Sequence, residues 1–207
     1  MMKEEILLRR QAMLDFDTAM RKEHGTVCGI DEAGRGPLAG DVYAAAVILP
    51  ADCDIQGLDD SKKITEKRRE KLFEEIQKKA VCFCIATASV AEIEKYNILK
   101  ASLLAMKRAA DGLKQQPDYA LIDGNQLPEL KVPMECIVKG DAKSASIAAA
   151  SILAKVARDN YMKAQAKLYP NYAFEKHKGY GTEEHRNLLL QYGACPIHRP
   201  SFLKKIL

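Results

Sequence analysis

The chain has 207 residues, of which 47% are hydrophobic, and carries a formal net charge of +4. This composition suffices for the core of one globular domain, and no apolar run reaches the roughly 18 residues of a membrane span. The charged N-terminus lacks a signal-peptide core, so we expect a cytoplasmic protein, and the six cysteines form no Cys-x-x-Cys pair, which predicts neither a zinc site nor a disulfide scaffold.

The hydrophobic pattern divides the chain into alternating strands and helices. In chain order, the predicted elements are helix 3–22, strands 26–31 and 41–49, helix 65–79 with Thr65 as N-cap, strand 81–90, helix 92–115 with a break near Asn97, strands 119–123 and 134–138, and helices 143–168 and 182–192. This order predicts an α/β fold in which a mixed sheet carries helices on its faces.

Carboxylates stand at the ends of two predicted strands. Asp31-Glu32 closes the first strand, and Asp123 closes the one over 119–123. If these strands are parallel neighbours, the carboxylates meet at one edge of the sheet, where a hard divalent cation could bind. Because consecutive side chains of a strand face opposite ways, Glu32 joins them only if the strand bends at Asp31. The alternative is that all three are ordinary polar residues at strand ends.

A fourth carboxylate, Asp141, precedes the long helix in the segment Lys139–Ser144. It is either a helix cap or a further ligand at the sheet edge. Lys143 and Ser144 lie at the helix start, where a phosphate could dock.

Two glycine-containing segments suit contact with nucleic acid. Gly34, Gly36 and Gly40 do not match the dinucleotide fingerprint, because the third glycine is late and a strand follows, so we expect neither nicotinamide nor flavin. These glycines instead let the backbone approach a sugar or phosphate. The segment Lys176–Thr182 combines cations with Tyr180, which is typical of a nucleic-acid contact or of an ordinary surface loop.

Six motifs together carry a family resemblance over nearly the whole chain. The matching segments are Ile30–Gly40, Asp60–Lys63, Leu121–Gly124, Lys139–Asp141, Ala149–Asp159 and His177–Thr182. In this order they resemble bacterial ribonuclease HII, the type 2 ribonuclease H.

The resemblance implies a ribonuclease H-like fold. The expected parts are an N-terminal helical segment (1–24), a catalytic domain with a mixed five-stranded sheet flanked by helices (25–170) and a small helical C-terminal extension (171–207). The implied substrates are RNA–DNA hybrids and DNA duplexes containing ribonucleotides, cut 5′ of a single ribonucleotide to leave 3′-hydroxyl and 5′-phosphate ends. The implied roles are removal of ribonucleotides and RNA primers during replication and repair, by a protein that we expect to be a monomer.

The resemblance also implies the site residues. Two divalent cations, Mn²⁺ or Mg²⁺, are expected on the four carboxylates, with Asp31 bridging both. The implied metal ligands and catalytic residues are Asp31, Glu32, Asp123 and Asp141. The implied substrate-binding residues are Gly34, Arg35, Gly36, Lys62, Lys143, Ser144 and Tyr180.

Two other interpretations are compatible with parts of the pattern. A different nuclease of the same superfold would keep the carboxylates without the pair formed by Gly34–Gly36 and Tyr180. A non-catalytic nucleic-acid-binding protein would use only the basic segments and would not need Asp31.

Overall fold

The computed structural model describes residues 2–58, 64–204 and 206–207, with side chains from residue 7 onward. Its helices and strands, in chain order, are α1 (Met2–His24), β1 (Val27–Ala33), β2 (Val42–Ile48), α2 (Glu66–Lys79), β3 (Cys82–Ala88), α3 (Val90–Tyr96), α4 (Ile98–Asp111), β4 (Tyr119–Asp123), β5 (Met134–Ile137), α5 (Ala145–Leu168), α6 (Phe174–His177), α7 (Glu183–Tyr192) and α8 (Pro200–Leu203). Among these helices, none is both long and apolar enough to cross a bilayer.

The five strands form one mixed sheet in the order β3-β2-β1-β4-β5. β2 runs antiparallel to β1 and β3, whereas β4 runs parallel to β1 and β5. A short loop suffices to link β1 to its antiparallel neighbour, but β1 and β4 need a long crossover because parallel strands start at the same end of the sheet. The predicted mixed five-stranded sheet flanked by helices is therefore confirmed.

Strand β2 shows how the sheet separates two buried clusters. Ala45 and Val47 pack with α2 and α5, and Ala44 and Ala46 pack with α4 on the opposite face. This alternation follows from the period of two along a strand, and it makes β2 almost uniformly apolar.

Helix α5 lies unusually close to β1, at the position where β1 has a glycine. A Cβ built on Gly29 would lie 2.2 Å from the carbonyl carbon of Ser146 and 2.3 Å from the nitrogen of Ile147. The facing residues of this helix are mostly small, and Ile147, Ala150 and Ala154 are fully buried. The close contact places the N-terminus of α5 beside the carboxyl end of β1.

Element boundaries differ from the prediction in informative places. The expected break near Asn97 is confirmed, since Asn97 has a positive φ of 72° and separates α3 from α4. Thr65 does precede α2, but its side chain forms no capping hydrogen bond. Helix α5 begins at Ala145 rather than Lys143, because Ser144 is its N-cap and accepts a hydrogen bond from the nitrogen of Ile147.

The segment after α5 forms the small helical extension that the sequence predicts. Its apolar side chains pack against the chain just beyond β1 and against α5, in a cluster of Ala39, Met162, Tyr172, Phe174, Leu189 and Leu203. The short helix α8 was not predicted, and it contributes Leu203 to this cluster.

Candidate active site

The parallel pairing of β1 and β4 brings two of the predicted metal ligands to one edge of the sheet. Ile30 pairs with Ile122, so the next residue of each strand, Asp31 and Asp123, emerges at the same level. Asp31 is buried and Asp123 is half-buried. The arrangement expected from two apolar strands ending in aspartate is therefore present.

Glu32 reaches this edge without the bend that the sequence analysis required. β1 keeps its pairing with β2 through Glu32 and Ala33, so the expectation of a bend at Asp31 was wrong. β4 ends at Asp123, level with Asp31, and Glu32 therefore extends beyond the last residue of the neighbouring strand. Its nitrogen donates to Oδ1 of Asp31 over 2.6 Å, and its Oε1 lies 3.6 Å from Nη1 of Arg35.

Asp141 joins the edge through a single turn of 3-10 helix, Gly140–Ala142. The nitrogen of Gly140 donates to Oδ1 of Asp123 over 2.6 Å, which ties this turn to the end of β4. A Cβ on Gly140 would lie 2.6 Å from Cδ1 of Ile147 and 3.2 Å from the same Asp123 oxygen. The glycine thus permits the close approach between the end of β4 and the turn that carries the buried Asp141.

The charges at this edge oppose one another. Burial raises the pKa of Asp31 well above its usual 3.8, and the neighbouring Glu32 and Asp123 carboxylates raise it further. Hydrogen bonds from Ser151 and from the Glu32 backbone lower it. A divalent cation would offset this repulsion, and carboxylate oxygens are the ligands that hard cations prefer.

The donor chemistry fits Mg²⁺ or Mn²⁺, but the carboxylates do not form a closed coordination set. Within the ranges that the structure describes, no three histidine, cysteine, aspartate or glutamate side chains are placed to hold a single ion. Glu32 and Asp123 are close enough to Asp31 to raise its pKa, and the turn that carries Asp141 is hydrogen-bonded to Asp123.

Asp31 and Glu32 open into a cavity that also contains the predicted substrate-binding loop. Its lining residues are Asp31, Glu32, Ala33, Gly34, Arg35, Gly36, Ser151, Lys155 and Tyr180. Ser151 and Lys155 received no role in the sequence analysis. Their spacing of four residues on α5, which puts both on one helix face, is the signal that could have found them.

Tyr180 forms the wall opposite the glycine loop. The residue is 42% exposed, and Nζ of Lys155 lies 5.7 Å from the centroid of its ring. A Cβ on Gly36 would lie 3.9 Å from Cε1 of Tyr180. The Tyr180 nitrogen donates to the carbonyl of His177, and its hydroxyl bonds to no residue of the described chain. The backbone of this tyrosine is fixed while its hydroxyl faces outward.

The three remaining predicted contacts have different positions. Lys143 is exposed beside the 3-10 turn. Ser144 is fully buried, where its hydroxyl donates to Oδ1 of Asp17 over 2.6 Å and accepts from the nitrogen of Ile147. It is a helix cap without exposed surface for a phosphate. Lys62 lies outside the described residues.

Comparison with known proteins connects this site to one family. The family model described as Ribonuclease HII matches residues 28–205. A protein named Ribonuclease HII from Caldicellulosiruptor saccharolyticus is 52% identical over 191 residues, covering 92% of this chain and 93% of the relative.

Solved structures share the fold. The ribonuclease H2 of Pyrococcus horikoshii OT3 superimposes with a TM-score of 0.74 and 26% identity, covering 87% of this chain and 96% of that one. Bst-RNase HIII, solved in complex with Mn²⁺, has a TM-score of 0.64 and 17% identity, covering 81% of this chain and 63% of that one, which supports the fold alone. The matches in sequence and fold, together with the carboxylates at the sheet edge, show that the chain belongs to the ribonuclease HII family of metal-dependent endoribonucleases.

Proposed function

We propose that the chain hydrolyses the RNA strand of RNA–DNA hybrids and incises duplex DNA on the 5′ side of single embedded ribonucleotides, leaving 3′-hydroxyl and 5′-phosphate ends. The observation that carries this proposal is one cavity in which Asp31 and Glu32 adjoin Gly34–Gly36 and Tyr180. Carboxylates for the cleavage chemistry and groups suited to reading a sugar therefore share one surface. In the cell, this activity would remove ribonucleotides and RNA primers during replication and repair.

The four carboxylates would hold two divalent cations, Mn²⁺ or Mg²⁺. When bound, such ions activate a water molecule and neutralise the leaving oxygen of a phosphodiester. Asp31 is the proposed shared ligand, because it adjoins Glu32 in the chain and lies level with Asp123 on the neighbouring strand. Asp141 would complete one ion's set, while Glu32 and Asp123 complete the other's. The four carboxylates orient the ions, and no protein nucleophile is required.

Recognition of ribose must depend on the 2′-hydroxyl, which is the feature that deoxyribose lacks. In the proposal, backbone groups of Gly34, Arg35 and Gly36 contact this hydroxyl, and Tyr180 stacks on the following sugar. Lys143 has the exposure that a phosphate contact needs, and Lys62 keeps the same proposed role. The C-terminal extension, residues 171–207, would then contribute to substrate binding through Tyr180.

The proposal is tested on a DNA duplex with one embedded ribonucleotide, compared with the same duplex in all-DNA form. We expect a single incision 5′ of the ribonucleotide with Mn²⁺ or Mg²⁺ and none in chelator. Asp31→Asn should abolish cleavage and leave binding largely intact, because binding depends on phosphate and sugar contacts.

Asp52→Asn is the matched control, since Asp52 is exposed and distant from the site in the described fold. Cleavage by Asp31→Asn within about tenfold of the wild type, a difference of roughly 1.4 kcal/mol in barrier, would remove Asp31 from the metal site. Equal cutting of the all-DNA duplex would contradict the proposed ribose recognition.

A further inference from the structure

We propose that Arg199, in the C-terminal extension, is a positioning residue that aims the backbone amides of the glycine loop at the substrate. The loop is Gly34–Gly40, directly after β1. The inference rests on the proposed function, in which this loop reads the 2′-hydroxyl, and it concerns a residue that does not line the cavity.

Arg199 is fully buried, and within the described chain its guanidinium donates hydrogen bonds to loop carbonyls. Its Nε donates to Gly40 over 2.8 Å, its Nη1 to Arg35 over 3.1 Å and Pro37 over 2.8 Å, and its Nη2 to Gly34 over 2.7 Å and Gly40 over 2.6 Å. A guanidinium has five N–H donors, so these five contacts match its full capacity.

The direction of these bonds determines where the loop amides point. In a trans peptide, the C=O bond of one residue and the N–H bond of the next point in opposite directions within the same rigid plane. When Arg199 draws the carbonyls of Gly34 and Arg35 inward, the N–H groups of Arg35 and Gly36 must face outward. Both residues are exposed and line the cavity. Neither amide donates to any part of the described chain.

A second buried arginine holds the far end of the same loop. Arg158 donates to three backbone carbonyls. Its Nη2 donates to that of Ala39 over 2.9 Å, its Nε to that of Asp41 over 3.1 Å and its Nη1 to that of Lys178 over 3.0 Å. Its guanidinium also lies 5.9 Å from the ring centroid of Tyr180. Arg158 therefore links the loop to the tyrosine, and Arg199 alone holds the two carbonyls behind the amides that face the cavity.

Lysine cannot replace this arrangement. An ammonium carries three donors on one atom and cannot span carbonyls that a planar fork reaches in different directions. Arg199→Lys keeps the charge but frees part of the loop. Arg199→Gln, which is neutral and keeps two N–H donors, is the second variant in case buried lysine prevents folding.

The test measures binding in chelator, so that cleavage does not contribute. The readout is the ratio of the dissociation constants for an all-DNA duplex and for the same duplex with one ribonucleotide. We expect this ratio to fall about tenfold in Arg199→Lys and Arg199→Gln, as loss of two modest hydrogen bonds would produce. Leu189→Ala is the control, because Leu189 is fully buried in the same extension but cannot hydrogen-bond the loop through its side chain.

A structural role alone would lower melting temperature and the fraction of active protein without changing the ratio. All variants are therefore compared below their melting transitions. The inference is overturned if the arginine variants keep the wild-type ratio, or if Leu189→Ala lowers it equally. A wild type that binds both duplexes equally and cuts neither would instead refute the proposed function, so the two failures are distinguishable.

Discussion

Asp31 is the residue whose ionisation the fold opposes most clearly. Its pKa is raised by burial first and then by Glu32 and Asp123. A carboxyl group whose pKa is higher in the folded than in the unfolded protein stabilises the fold fully at pH values below its unfolded-state pKa. This contribution is lost as pH rises through the folded-state pKa. The metal-free protein should therefore lose stability as pH rises above 3.8, the ordinary value for this group.

Asp31→Asn removes this titration. We expect the variant to melt at a higher temperature than the wild type near neutral pH in chelator, with a shallower decline between about pH 4 and 8. Some decline should remain, because burial also raises the pKa of Asp17. Thermal melts across this pH range provide the measurement, and identical slopes for both proteins would contradict the assignment.

Alanine substitutions at Gly34 and Gly36 should have different effects, the first on stability and the second on substrate recognition. Gly34 has a φ of +103°, and a Cβ there would lie 2.2 Å from Nε of Arg158, whereas a Cβ on Gly36 meets only Tyr180, at 3.9 Å. Gly34→Ala should thus cost at least about 1–2 kcal/mol of stability through backbone strain. Gly36→Ala should keep its melting temperature but lose cleavage at a single ribonucleotide, because the methyl group enters the cavity.

Melting curves and initial cleavage rates for both alanine variants check this difference. Full activity of a folded Gly36→Ala protein would show that the substrate does not approach this part of the loop.

Tyr180 offers a similarly clean substitution. Its hydroxyl has no partner in the described chain, so Tyr180→Phe should leave stability unchanged. Any loss of cleavage then reports a substrate contact, and one hydrogen bond of roughly 0.5–1.5 kcal/mol limits that loss to about tenfold. Tyr180→Ala should lose considerably more on the single-ribonucleotide duplex than on a long hybrid. Equal losses on the two substrates would leave the ring as a packing residue.

At the scale of elements, the N-terminus of α5 joins distant parts of the chain. Asp17 of α1 accepts hydrogen bonds from the hydroxyls of Ser144 and Ser146 and from the nitrogen of Ser146, all within 2.8 Å. Together with the contact at Gly29, these bonds fix the start of the helix that follows Asp141. Through Asp17, α1 therefore fixes the start of α5 next to the turn that carries Asp141.

Neighbouring residues test this role of the helix start. Ser144→Ala should lower stability by about 1–3 kcal/mol, because it leaves part of a buried polar network without its partner, and should leave KM unchanged. Lys143→Ala should leave stability unchanged but weaken substrate binding and reduce its salt dependence. Melting temperatures and KM at two salt concentrations give the comparison, and a raised KM in Ser144→Ala without a stability change would restore its predicted phosphate contact.

The sequence predicts elements well where side-chain pattern decides the structure. The two apolar strands that carry Asp31 and Asp123 and the break at Asn97 are both legible in residue types. The predicted bend at Asp31 was wrong because the alternation of side chains along β1 does not show where the neighbouring strand β4 ends. Arg199 and Asp17 were missed for a physical reason: their acceptors or donors include backbone groups, which every residue has, and their partners are more than 100 residues away.

At the scale of the whole molecule, the site is enclosed by segments from both ends of the described chain. α1 reaches the N-terminus of α5 through Asp17, and the C-terminal extension reaches the glycine loop through Arg199. The buried residues of the two clusters around the sheet all precede α6, and Phe202 of α8 packs against one of these clusters. The carboxylate edge and the substrate loop are thus supported by different parts of the fold.

This separation has a consequence for the order of synthesis. Gly34 is synthesised 165 residues before Arg199, so during elongation the carbonyls of Gly34 and Arg35 lack their arginine partner. A nascent chain arrested before Arg199 should carry all four carboxylates but bind all-DNA and ribonucleotide-containing duplexes alike. The finished chain released from the ribosome, which includes Arg199 and α8, should discriminate between them. The ability to tell ribose from deoxyribose would then be among the last properties that the growing polypeptide acquires.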